Sequence, residues 1–232
     1  MRFLPVLAAL ALASGCATVT GPPNPKDPWE SYNRGMHAFN DKVDTAVLKP
    51  VAEGYQEAVP EFAREGVSNF FENLRDVGTG LNNLLQGKFV AGASDLGRFA
   101  FNTVVGIGGL WDVATPLGLE KHTEDFGQTL GWWGVPSGPY FVIPLFGPST
   151  ARDAPARIVD PQYAWGRYID PESVGWVLFG LDITRSRANL LQSERILDEA
   201  ALDRYTFIRD AWLQRRRNLV YDGKPPKDPN YE

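Results

Sequence analysis

Apolar residues recur every three or four positions along most of the chain. Trp29, Tyr32, Met36, Phe39, Val43 and Val47 form the first such stripe, a spacing that puts them on one face of an α-helix. Asp27 as N-cap, Pro28 at the first helical position and Glu30 in capping-box register predict its start. A second stripe, Ala63, Val67, Phe70, Leu74, Val77, Leu81 and Leu84, predicts a helix closed by Gly87. A third runs from about Lys88 to Val105, with Phe89, Ala93, Leu96, Ala100 and Val104 on one face. PESVGWVLFGLDITRSRANLL (171–191) predicts another, starting near Asp170 or Ser173. Leu197, Ala201, Tyr205, Ile208 and Trp212 mark a last one, ending on Arg215, Arg216 and Arg217, cations that suit the negative end of a helix dipole. No long alternation of apolar and polar residues occurs. The expected fold is all-α: one helical domain over 27–223, with a polar tail over 224–232.

Two segments escape this pattern. VVGIGGLWDVATPLGL (104–119) and TLGWWGVPSGPYFVIPLFGPS (129–149) are apolar, aromatic and broken by glycine and proline. After Cys16 no apolar run reaches the roughly 18 residues of a spanning helix. Irregular backbone in a membrane is tolerated only inside protein or around a water-filled cavity. Trp111, Trp132, Trp133, Tyr140, Phe141 and Phe146 have two uses open to them, at a headgroup boundary or closing a core.

The N-terminus changes the picture. MRFLPVLAALALASGC carries one basic residue, an apolar run and small residues before the only cysteine. Residues 1–15 therefore read as a signal peptide, and Cys16 as a lipobox cysteine that takes a covalent lipid. An exported free thiol would otherwise be a liability. Each buried acyl methylene contributes about 0.8 kcal/mol, so a triacylated cysteine anchors firmly. Residues 16–26 read as a lipidated tether rich in Pro, Gly and Thr. Ala17 is not the aspartate of inner-membrane retention, which favours the outer membrane.

Net charge is −5, and loss of Arg2 with the signal peptide makes the chain more acidic. That balance argues against nucleic acid. With a single cysteine there is no intramolecular disulfide and no thiolate metal cluster. His37 and His122 lack partners at metal-ligand spacing, and neither HExxH nor GxSxG occurs. Glu124 and Asp125 are neighbours on one loop, where carboxylates usually point apart. GIGG (106–109) has no preceding strand and no P-loop lysine. Arg152 and Asp153 read as charges at a helix start. No active site and no metal site is expected, and no cofactor beyond the lipid on Cys16.

Seven blocks in order carry a resemblance: DPWESYNRGMHAFND, VSNFFENL, NNLLQGK, FNTVVGIGGLWDVA, DFGQTLGWWGVPSGPY, PLFGPSTARD and YTFIRDAWLQRRRNLVYDG. Over nearly the whole mature chain they resemble the MlaA (VacJ) family of outer-membrane phospholipid-transport lipoproteins. The resemblance implies a ring-shaped helical domain in the inner leaflet, associated with trimeric porins. Gly/Pro-rich re-entrant loops would surround an amphipathic pore. Through it, phospholipid strayed to the outer leaflet would pass toward a periplasmic carrier of the Mla pathway. The family is not known as an enzyme. TLGWWGVPSGPYFVIPLFGPS resembles the family's hairpin loop at the pore, with Gly134, Pro136 and Gly138 as hinge candidates and Pro136 as a stiffener. Trp111, Trp132, Trp133, Tyr140 and Phe141 would then sit at the membrane interface. Asn82, Asn83, Asn102, Thr103 and Asp112 flank apolar or glycine-rich segments and are the candidate polar groups of the lipid path. The alternative is a lipid-anchored scaffold that binds porin or cell-wall partners and moves nothing.

Overall fold

A computed structural model describes residues 24–160, 169–200 and 203–227, without the side chains of 195–200. The expected signal peptide, Cys16, most of the expected tether and the end of the expected tail lie outside these residues. The described fold is mostly helical, as expected, with one two-stranded sheet.

Helix α1 spans Glu30–Val43 and runs through a wide π-turn, Asp44–Leu48, into α2, Lys49–Ala58. The sequence predicts an end near Leu48. The chain continues because the wider turn makes room for Pro50, whose ring would clash with the carbonyl four residues back in a regular helix. Val59, held extended before Pro60, ends α2. The predicted cap at Asp27 does not form. The side-chain cap of α1 is absent, and Asp27 is buried as an acceptor for the Tyr205 hydroxyl at 2.5 Å and Arg209 at 3.1 Å.

Helices α3 (Glu61–Leu85) and α4 (Phe89–Val104) form a hairpin turned by Gly87, whose φ is +77°. Their pairs run in antiparallel register: Asn73 with Thr103, Asp76 with Arg98, Asn83 with Asp95. The backbones approach closely at two glycines. A Cβ on Gly92 would stand 3.0 Å from the Gly80 carbonyl, and one on Gly80 would stand 2.9 Å from Leu96.

Helix α5 (Phe126–Trp132) starts at Asp125, whose carboxylate accepts from the Gln128 backbone N–H at 2.8 Å. Strands β1 (Tyr140–Ile143) and β2 (Gly147–Thr150) then pair antiparallel, from Tyr140 opposite Thr150 to Ile143 opposite Gly147. The all-α expectation missed this hairpin, because four-residue strands interrupted by Pro and Gly carry no legible alternation. Helix α6 covers Asp153–Val159, α7 Glu172–Ala200 and α8 Arg204–Val220. Leu197 and Tyr205 were expected on one helix. They lie on two, because Asp203 caps α8, its carboxylate accepting from the backbone N–H of Tyr205 and Thr206. Ala201 lies outside the described residues.

Burial is inverted relative to a water-soluble domain. Among the described residues, 21 buried ones are polar or charged and 10 are hydrophobic, so the interior is the polar part. The apolar core is small: Met36, Tyr140, Val142 and Tyr205, with Trp212 and Leu213 against it. The first predicted apolar stripe points outward at Trp29, Tyr32, Phe39 and Val47, while Met36 and Asn33 are buried.

Candidate functional site

The polar interior opens into a cavity of about 390 Å³. Helix α3 contributes Glu72, Arg75, Asp76 and Thr79, the loop before α5 Lys121 to Asp125, and α5 Gln128. Arg157 of α6 and Trp212, Arg215, Arg216 and Leu219 of α8 complete the wall, in which only Trp212 and Leu219 are apolar. Glu72, Asp76 and Thr79 recur at helical spacing on the side of α3 away from its apolar stripe.

The charges are held in place by ion pairs. Arg216 forks onto both oxygens of Asp125 and donates from Nε to Asp153 at 2.7 Å, a planar match that lysine could not make. This ties α8 to the start of α5 and to α6. A Cβ on Gly127 would meet both Arg216 and Asp153, which explains the glycine there. Arg152 and Asp153 stand at the start of α6, as expected, and are buried against each other at 2.7 Å. Lys121 bridges to Glu72 at 2.6 Å and approaches Asp76 at 3.8 Å.

Burial raises the Asp76 carboxyl to about 6, only partly offset by Lys121 and Arg98. Burial also raises Glu124, against hydrogen bonds from Gln86 and Lys88. Burial acts the same way on Glu72 and Asp125, yet their cations prevail: Lys121 holds Glu72, and Arg216 holds Asp125, below the usual carboxylate range.

None of the five expected lipid-path residues lines this cavity. The amide N–H of Asn82 donates to Gly78 O, its oxygen accepts from Thr129 Oγ1, and Asn83 donates to Asp95. Asn102 accepts from the backbone N–H groups of Val113 and Ala114 and donates to Asp112 at 3.2 Å. Thr103 accepts from Asn73. Asp112 accepts from Arg98, Thr115 and Asn102, which hold it well below its ordinary value despite burial. Asn102 and Asp112 satisfy backbone N–H groups of the irregular segment 104–119, while Asn82, Asn83 and Thr103 tie α3 to α5 and α4, roles that adjacency in sequence could not distinguish from lining a path. Arg98 completes the clasp, donating to Thr115 and to Leu119 O.

The hinge candidates connect α5 to β1. Gly134 and Gly138 have φ of +89° and +69°, and Pro136 is exposed between them. Trp111, Trp132 and Trp133 are exposed, and Phe141 is half-buried against Trp29. Tyr140 departs from the expected interface set. It is 1% exposed and packs on Tyr205 and Trp212, because it points to the inner face of β1. Leu145 and Phe146 at the hairpin tip are exposed instead.

Sequence reasoning missed Asn33 and Asn40. They lie two turns apart on one face of α1 and dock β1 by its backbone. Asn33 donates to Tyr140 O and accepts from Val142 N–H; Asn40 donates to Ile143 O and accepts from Leu145 N–H. Two asparagines seven residues apart at the border of the apolar stripe were the signal that could have found them. His37 stacks edge-on against Tyr205. His122 donates through its backbone to Asp95 and faces the cavity. Among the described residues no cluster of His, Cys, Asp and Glu could hold a metal ion, and no helix is long and apolar enough to cross a membrane.

An apolar exterior around charged helices is the organisation of a helical protein immersed in lipid. The comparisons with known proteins point to a family of lipoproteins. The model of the MlaA lipoprotein family matches residues 25–219. The chain is 38% identical to the intermembrane phospholipid transport system lipoprotein MlaA of Escherichia coli, over 97% of this chain and 93% of that protein. The Haemophilus influenzae protein of the same description is 32% identical over 94% of this chain and 90% of its own length. A solved structure described as the structural basis for maintenance of bacterial outer membrane lipid asymmetry matches with a TM-score of 0.69. It shares 35% identity and covers 84% of this chain and 98% of its own. The chain belongs to the MlaA lipoprotein family.

Proposed function

We propose that this chain is an outer-membrane lipoprotein that removes mislocalised phospholipid from the outer leaflet and passes it to a periplasmic carrier. The observation that carries the reading is the charged cavity inside an oily exterior. A phospholipid headgroup crossing an apolar slab unpaired is costly. A polar lining lowers that barrier while the acyl tails remain in lipid. Cavities of about 300–1,000 Å³ suit small-molecule groups, so a headgroup matches the space. The passage needs no bond-breaking chemistry, in keeping with a transport role and no enzymatic one. Cys16 would carry the covalent lipid that holds the chain in the inner leaflet facing the periplasm. The helices would close as a ring around the passage, with a trimeric porin as neighbour. The exposed aromatics Trp111, Trp132, Trp133 and Phe146 support such immersion, because indole and phenyl rings favour the boundary between tails and headgroups.

The test is outer-leaflet phospholipid in cells lacking the gene, read by palmitoylation of lipopolysaccharide. Wild type, Cys16→Ala and a plugged cavity, Thr123→Trp, are added back at matched abundance. Phospholipid should rise in the deletion, fall with wild type, and stay high with both variants. A deletion indistinguishable from its parent would remove the transport reading and bring the scaffold reading forward.

A further inference from the structure

Most charges around the cavity are matched by partners within the fold. Glu72 has Lys121 and Arg185, Glu124 has Lys88, Asp125 has Arg216, and Arg75 has Asp182. Two cations of the wall lack a carboxylate partner among the described residues. Among the described residues, Arg157 donates only to Pro148 O at 3.2 Å, and Arg215 makes no hydrogen bond or ion pair. Arg157 is half-buried and Arg215 exposed at the cavity wall, so both guanidinium groups are open to an anion that enters.

The opposite sense of hydrogen bonding is unmet on α3 and α5. Both carboxylate oxygens of Asp76 and the side-chain oxygen of Gln128 are buried without a hydrogen-bond donor. Arg98 at 3.5 Å and Lys121 at 3.8 Å neutralise Asp76 in part but stand too far to donate. Buried acceptors left this way are costly, and both residues line the cavity. One wall thus offers guanidinium donors to an anion, and another offers acceptors to N–H or O–H groups.

We propose that the cavity selects phosphodiester headgroups that carry hydrogen-bond donors, with Arg157 and Arg215 taking the phosphate and Asp76 and Gln128 accepting from the headgroup's ammonium or hydroxyls. This deepens the transport reading and rests on it. Ethanolamine and glycerol headgroups satisfy both walls. A choline headgroup offers the phosphate but no donor, and diacylglycerol offers no phosphate.

The experiment uses the full lipidated protein in detergent and short-chain lipids with ethanolamine, glycerol or choline headgroups, plus diacylglycerol. Calorimetry reads affinity, and glycerophosphoethanolamine without chains tests whether the head alone suffices. Ethanolamine and glycerol lipids should bind at least fivefold more tightly than the choline lipid, and diacylglycerol most weakly. Arg157→Gln with Arg215→Gln should weaken all phospholipids at least fivefold and leave diacylglycerol unchanged. These two side chains hold no ion pair of the fold, so the variant should fold. Asp76→Asn should narrow the gap between ethanolamine and choline lipids. Equal affinity for ethanolamine and choline lipids would overturn the donor half, and binding indifferent to the arginine pair would overturn the phosphate half. Both results leave phospholipid passage standing. No binding of any phospholipid would overturn the inference and the transport reading together.

Discussion

At the scale of single residues, Asp76 and Arg216 make opposite demands on the cavity. Burial lifts Asp76 from 3.8 to about 6, so the folded protein holds that proton more tightly than the unfolded chain. Its protonation favours folding fully below about pH 4, and that contribution is lost as pH rises through 6. Asp125 and Glu72 are depressed instead, and their contributions are lost as pH falls. The stability advantage of wild type over Asp76→Asn should therefore shrink between pH 4 and 7. The change should be on the order of 1 kcal/mol after screening by solvent in the cavity, and a flat difference in melting temperature would contradict it. Arg216 is a different case, because Asp125 and Asp153 are left with unmatched buried charge when it is removed. Arg216→Ala should cost about 3–5 kcal/mol in denaturant unfolding. Arg216→Lys should recover only part, since one ammonium cannot fork onto a carboxylate.

At the scale of elements, two contacts decide the arrangement. The α3–α4 hairpin depends on backbone approach at Gly80 and Gly92, as small residues allow between helices in lipid. Gly92→Ala puts a methyl 3.0 Å from the Gly80 carbonyl and 2.8 Å from Leu84. A loss of about 1–3 kcal/mol is expected, with Gly92→Val worse, and unchanged unfolding midpoints would rule out the close crossing. The link from α5 to β1 turns at Gly134, where a Cβ would meet nothing within 4 Å but φ is +89°. Gly134→Ala should therefore cost only backbone strain, about 1–2 kcal/mol, and leave headgroup binding unaltered.

At the scale of the whole molecule, much of the exterior is apolar. Trp176 and Val177 on α7, Phe89 and Val90 on α4, and Leu145 and Phe146 at the hairpin tip are all exposed. Large exposed apolar surface is stable in water only when something covers it. The Cys16→Ala chain, which cannot take the proposed acyl anchor, should therefore still need detergent to stay monodisperse. A monomer in detergent-free buffer by light scattering would refute immersion of the helical body.

Periodicity in the sequence determined where most helices lie, because a 3.6-residue repeat is a local property. The blocks DPWESYNRGMHAFND and DFGQTLGWWGVPSGPY determined the family, since ordered matches survive without any knowledge of contacts. Periodicity could not say which side of a helix meets the core. The stripe through Trp29, Tyr32 and Phe39 reads the same whether it faces protein or lipid, and only the packed chain turned it outward and Asn33 inward. Nor could it find the cavity. Asp76, Gln128, Arg157 and Arg215 are scattered over four helices, and residues far apart in sequence become one site only through tertiary contact. Asn102 and Asp112 show the converse. Their neighbours suggested a lipid path; what the structure shows is that they accept from backbone N–H groups of the irregular segment 104–119, a demand that exists only once that segment is packed.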